Sequence, residues 1–302
     1  MTLSNLLDMM YLLTAADVRS VGQATWSEVQ MRFLRELYHR TANSLRRSAP
    51  VDVDLGRHRS RLARELSLAN LPQAEVDEHC TAMPAAYLLN TPADDLAAHI
   101  EYVRRARAGQ PVVSLRDDPI SHFTEITICT LDDPEPGLLA KIAGALSALG
   151  VDIHAAQVFT REANDRIAFD ILSVDYDRRT LPEMKKLQVQ SELEGILAKR
   201  SDPESLCARY GKKLESNVKL LDLQVMSHLS DQHSVIQIEA EDEPGLLYHL
   251  TAAISSLNWD IYSARINTWG KTAQDVFYVT DDKGSKLDPA SASEAFRQTL
   301  LD

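Results

Sequence analysis

The chain has 302 residues, 44% apolar and 25% charged, ordinary proportions for a globular protein of two or three domains with a buried core. Its 32 basic residues against 44 acidic ones leave a net charge of −12, which excludes a general nucleic-acid binder because phosphate neutralisation needs clustered Lys and Arg. Three widely spaced cysteines, Cys80, Cys129 and Cys207, exclude a disulfide framework or a CxxC metal pattern and point to a reducing cytoplasm.

In chain order, apolar residues at Leu6, Leu7, Met10, Leu13 and Ala16 predict a helix over 3–20. Asp8 interrupts that stretch and no basic segment precedes it, so it does not read as a signal peptide. No window reaches the ~18 apolar residues of a membrane span. Trp26, Val29, Phe33, Leu34, Leu37 and Tyr38 predict a helix over 25–47, with start signals at Thr25 and Ser27. After the break at 50–56, residues 57–70 and 73–80 read as two short helices. The basic cluster Arg57, Arg59, Arg61 and Arg64 reads as a solvated face. Thr91 as N-cap and Pro92 in the first turn predict a helix running to about Ala108 and stopping at Gly109. The first 110 residues are therefore expected to be nearly all α.

The texture then changes. Residues 112–115 and 125–131 read as strands, 136–149 as a helix ended by Gly150, and 152–160 and 167–175 as two more strands. A helix over 182–199 follows, extended by 203–213 after a break, and then a strand over 221–228.

The pattern next repeats. PGLLAKIAGALSALGVDIHAAQVFT at 136–160 and PGLLYHLTAAISSLNWDIYSARINT at 244–268 are identical at 11 of 25 positions without a gap, far above chance, so a module is duplicated. Asp170-Ile171-Leu172 aligns with Asp275-Val276-Phe277 in the next strand. The expected fold class is α+β: an N-terminal all-α segment followed by two ferredoxin-like βαββαβ domains. The expected division is 1–110, 111–230 and 231–302. The first copy takes its fourth strand from 221–228, and the second, ending soon after Leu301, lacks one. Pairing of the copies into one larger sheet would protect their edges. Trp259, in place of Val151, is expected to pack in the core.

In each copy an acidic turn leads into the first helix. It contains Asp132, Asp133, Gly137 and Leu138 in one, and Asp242, Gly245 and Leu246 in the other. Gly allows close backbone approach, the helix start offers free N–H groups to a carboxylate, and an Asp can accept from an ammonium. With the strand starts Asp152-Ile153 and Asp260-Ile261, this suggests a receptor for an α-amino acid. The plainer reading is an acidic N-cap and a tight turn. The nine histidines show no HxH or HxxxH spacing, and no G-x-S-x-G nucleophile elbow occurs.

D-x-P-G-L-L followed by a helix and D-I-x-x-A resembles the ACT regulatory domain. Residues 242–247 fit it well, while DDPEPGLL at 132–139 carries two extra residues. YLLTAADVR at 11–19, Trp26, FLRELYHRTANSLRR at 33–47 and PAAYLLNTPADDLAAHIEYV at 84–103 resemble the end of the HD domain, and the following linker, of the PII uridylyltransferase/uridylyl-removing family. That resemblance implies glutamine as effector, the PII signal protein or separate catalytic domains as partners, homo-oligomer formation, and a role in nitrogen regulation. The family uses a divalent metal, but no cofactor is expected in this chain. The nucleotidyltransferase domain has no counterpart here and no His-Asp pair occurs. Asp17 matches the family's last HD metal ligand, and one carboxylate does not supply the ~6 oxygens that Mg²⁺ takes. The alternatives are a ligand-free assembly module or a residual HD phosphohydrolase or nucleotidyltransferase.

Overall fold

The computed structural model describes residues 3–20, 59–64, 71–118, 123–132, 136–163, 165–212, 218–269 and 271–301, with isolated positions at 34, 37, 38, 56 and 66. The helix expected over 25–47 thus falls almost wholly outside the described residues, whereas of that expected over 57–70 residues 59–64 and 66 are described and helical. The N-terminal part contains α1 (Leu3–Ser20), α2 (Gln73–Ala82), α3 (Ala85–Asn90) and α4 (Ala93–Arg107). Thr91 does not cap α4. Its N–H closes α3 by donating to Tyr87 O at 2.9 Å, and Pro92 stands at the cap with ψ 150°. Asp94 and Asp95 in the first turn of α4 then face the positive end of the helix dipole.

The remaining elements are β1 (Val112–Asp117), β2 (Thr124–Leu131), α5 (Leu138–Ala148), β3 (Asp152–Glu162), β4 (Arg166–Asp175), α6 (Glu183–Leu197), α7 (Pro203–Tyr210), β5 (Leu220–Met226), β6 (Ser234–Glu241), α8 (Leu246–Ser256), β7 (Asp260–Trp269), β8 (Thr272–Thr280) and α9 (Pro289–Leu301). The eight strands form one antiparallel sheet in the order β1-β2-β4-β3-β7-β8-β6-β5. The fold is α+β, and the copies are joined through β3 and β7. Gln157 faces Arg265, its own equivalent in the repeat, so a local two-fold axis passes through that pair.

The fourth strand of each half corrects the sequence expectation. β5, assigned from sequence to the first copy, pairs with β6 of the second. β1 fills the equivalent place beside β2. The second copy lacks no strand: its edge strand arrives before the repeat rather than after it. The site next to the first strand of the module can be reached from either end of the chain segment, so strand order alone did not decide between them.

The two halves differ in what covers their outer face. One face of the sheet carries α5 to α9. Over the first half, the other face is covered by α2–α4, through a core of Tyr87, Leu96, Ile100, Cys129, Phe159 and Phe169 among others. β4 is accordingly buried nearly throughout, whereas β8 alternates along its length; strands covered on both faces lose the period-two pattern.

The helical layer is also held by polar groups. Tyr87, fully buried, hydrogen-bonds His79 Nε2 at 3.0 Å and His99 Nδ1 at 2.8 Å. Arg161 on β3, 1% exposed, reaches Glu78 at 3.0 Å and Asp165 at 2.5 Å, and Arg107 bonds the same two carboxylates. Burial pushes His79 down to about 3, reinforced by the Arg161 charge, and His99 down to about 4. Unfolded imidazoles take up protons near 6.5, before the folded ones do. Stability held above about pH 6.5 should therefore drain away as pH falls toward 4. A urea midpoint that declines from pH 7 to pH 5 in the wild type, and less steeply in a His79→Gln/His99→Gln variant, is the expected result.

Candidate functional site

Two cavities lie between the halves, related by the local two-fold axis. Each combines the helix start of one copy with the strand start of the other. In the first, Asp132, Gly137 and Leu138 meet Asp260 and Ile261. In the second, Asp242, Gly245 and Leu246 meet Asp152 and Ile153. The side-by-side pairing sets the strand start of each copy against the helix start of the other, because α5 and α8 pack on one another. Asp133 lies outside the described residues.

Gly137 and Gly245 stand at φ 121° and 85° as the cap residues of α5 and α8. Having no side chain, they leave the first turns uncapped. Leu246 N–H donates to Glu243 O at 3.0 Å. Among the described residues, the amides of Leu247 and Tyr248 have no acceptor, which leaves donors for an anionic group.

The sequence reading missed the residues that distinguish the cavities. Ser147 and Ser255, identical in the repeat, approach the opposite glycine: a Cβ on Gly137 would lie 2.8 Å from Ser255 Oγ, and one on Gly245 would lie 3.2 Å from Ser147 Oγ. Asp170 and Asp275, each 1% exposed, form the cavity floors. Burial pushes Asp170 up to about 8, with a further push from Asp132. Burial likewise pushes Asp275 up to about 7, opposed by the Asn267 backbone N–H and reinforced by Asp242. Among the described residues Asp170 Oδ1 has no hydrogen-bond partner, and Asp275 Oδ1 accepts only a 3.4 Å bond from Asn267 N. An aspartate between apolar residues, kept in both copies, was the available signal: carboxylates are rarely buried in strands unless paired.

The second cavity measures about 160 Å³, the first about 40 Å³. Substitutions within the repeat account for the difference. Trp259 and Thr251 line the first where Val151 and Ala143 line the second. Trp259 is 8% exposed and stacks on Phe296 with centroids 6.3 Å apart, so its core role and its filling of the cavity are one arrangement. His154 lines the second cavity and bonds Asp175 Oδ2 at 2.8 Å. Burial disfavours its charge, but Asp175, Asp152 and Asp242 outweigh that and raise its pKa.

Asp17 is exposed on α1. Among the described residues no group of three or more His, Cys, Asp or Glu side chains is placed to hold a metal ion, so the residues present there do not fit the implied divalent ion. Among them too, no helix is long and apolar enough to cross a membrane.

The class follows from the second half: residues 229–300 match the family model described as the ACR family N-terminal ACT domain, so an ACT domain is present there. Over nearly its whole length the chain is also similar to enzymes named bifunctional uridylyltransferase/uridylyl-removing enzyme. It is 31% identical to that of Bradyrhizobium diazoefficiens over 96% of its own length and 31% of the enzyme's. It is 31% identical to that of Rhodopseudomonas palustris over 97% and 32%, and 29% identical to that of Nitrobacter hamburgensis over 96% and 32%. The chain thus spans about a third of the relatives it matches.

Proposed function

We propose that this chain is the regulatory portion of a PII uridylyltransferase-like protein: a tandem ACT pair, 112–212 and 218–301, that binds an amino acid, glutamine first among the candidates, at the interface of its two halves. The single observation that carries the reading is the pair of interface cavities, each built from an uncapped helix start and carboxylates of both copies. A zwitterion needs such opposed partners, N–H donors for its carboxylate and acceptors for its ammonium.

In this reading Asp242, Gly245, Leu246, Asp152 and Ile153 line one candidate cavity, Asp132, Gly137, Leu138, Asp260 and Ile261 line the other, and the effector takes at least one of the two. Binding bridges the halves and so favours one arrangement of them over another, which is how a ligand shifts an equilibrium. The PII protein and the catalytic parts would receive that signal.

Isothermal titration of the chain with L-glutamine, alongside the other common L-amino acids, tests the proposal. Saturable heats for glutamine, with a melting temperature that rises with its concentration, are the expected result. Flat heats across the whole set would sink it.

A further inference from the structure

The two cavities are equivalent in sequence register but not in charge. In the first, Arg166 Nη2 bonds Asp132 Oδ2 at 2.9 Å and Asp260 Oδ2 at 2.7 Å. One guanidinium therefore already bridges the carboxylates of both copies. Both bonds come from one nitrogen, whose two N–H groups supply one donor to each carboxylate.

The corresponding turn position in the second half is Lys271. The backbone places it identically: Asp132 N donates to Arg166 O at 3.0 Å, and Asp242 N to Lys271 O at 2.8 Å. Yet Lys271 is exposed, and among the described residues its ammonium pairs with neither Asp242 nor Asp152. Those two carboxylates stand at the rim of the larger cavity, both solvent-exposed. Partial burial of each carboxylate against the cavity wall raises both pKa values. Asp175 pushes Asp152 further up while His154 and Lys212 pull it down, and His154 pulls Asp242 down while Asp152 pushes it up. Below them lies Asp275, 1% exposed, which accepts a long 3.4 Å bond from Asn267 N.

We infer that the chain has one open effector site, the cavity of Asp242, Asp152 and Asp275, which takes the ammonium of its ligand between the two rim carboxylates, and that Arg166 occupies the same place in the other cavity as a built-in cation. Trp259 reinforces the closure by filling the space that Val151 leaves open. The inference rests on the amino-acid-sensor reading and specifies its site, its stoichiometry and the group it reads.

Titration of the full chain with L-glutamine supplies the test, with circular dichroism confirming that each variant is folded. The expected stoichiometry is one per chain. Asp242→Asn and Asp152→Asn should each weaken binding about tenfold or more, the loss of one charge-assisted contact. Asp275→Asn, at the floor of the same cavity, should weaken it as well, and Asp242→Glu should recover part of the loss. Asp132→Asn and Asp260→Asn should change affinity less than about threefold, being engaged with Arg166 rather than with ligand. 4-Carbamoylbutanoate, which is glutamine without its ammonium, should not compete.

Two equal sites, or a loss on Asp132→Asn that exceeds the loss on Asp242→Asn, would overturn the inference and leave the sensor reading standing. Competition by 4-carbamoylbutanoate at glutamine's own affinity would overturn the ammonium assignment. Failure of the wild type to bind any amino acid overturns both.

Discussion

Tyr87→Ala should cost about 3–5 kcal/mol of stability, the range for truncating a large aromatic core residue. Tyr87 is fully buried, and its ring packs edge-on against both Phe159 and Phe169 with centroids 5.5 Å away. Its hydroxyl is the common partner of His79 and His99. Removing the ring opens a cavity between helices and sheet, and removing the hydroxyl leaves two buried imidazoles short of a partner. Tyr87→Phe isolates the second part and should cost about 1–3 kcal/mol. Denaturant unfolding followed by circular dichroism measures both. The cavities lie on the opposite face of the sheet, so these variants separate the anchoring of the helical layer from the binding site. A loss under about 1 kcal/mol for Tyr87→Ala would mean that α2–α4 contribute little to the fold.

That helical layer also marks where the sequence was legible and where it was passed over. The repeat was found from identities, and identities located the helix starts and strand starts that the structure gathers into cavities. The asymmetry of the molecule is written in the differences. On the outer face of the first half stand Cys129, Phe159, Ile167 and Phe169, all buried. At the aligned positions of the second half stand Glu239, Asn267, Thr272 and Gln274, and Gln274 is exposed. Four apolar residues exchanged for four polar ones on one strand face predict a partner layer on the first half alone.

Other features were beyond local pattern. β5 carries a plausible strand sequence under either assignment, and only pairing places it beside β6. That Asp152 meets Gly245 and Asp260 meets Gly137 depends on how the two halves of the sheet join at Gln157 and Arg265. Periodicity reports which face of a strand is buried, not what lies across it. Arg166 shows the same limit: a charged residue in a tight turn reads as solvated surface until the second copy brings Asp260 within 2.7 Å.

The two cap glycines offer a quantitative check on the site geometry, because they should not respond alike. Both have positive φ, 121° at Gly137 and 85° at Gly245, so an alanine at either is strained by about 1–3 kcal/mol. At Gly137 the added Cβ would also sit 2.8 Å from Ser255 Oγ, so that hydroxyl must move, while at Gly245 the nearest atom is Ser147 Oγ at 3.2 Å and needs to give only slightly. Gly137→Ala should therefore be the more destabilising, by about 3–4 kcal/mol in all once a clash is added, and Gly245→Ala should stay near the backbone cost alone. Adding Ser255→Ala to Gly137→Ala should recover the steric part but not the backbone part, a coupling visible in a double-mutant cycle from denaturant unfolding. Additive effects would mean that Ser255 does not press on the entrance of α5. Because Gly245 borders the larger cavity, its alanine variant should weaken glutamine binding more than it weakens the fold, and Gly137→Ala should do the reverse.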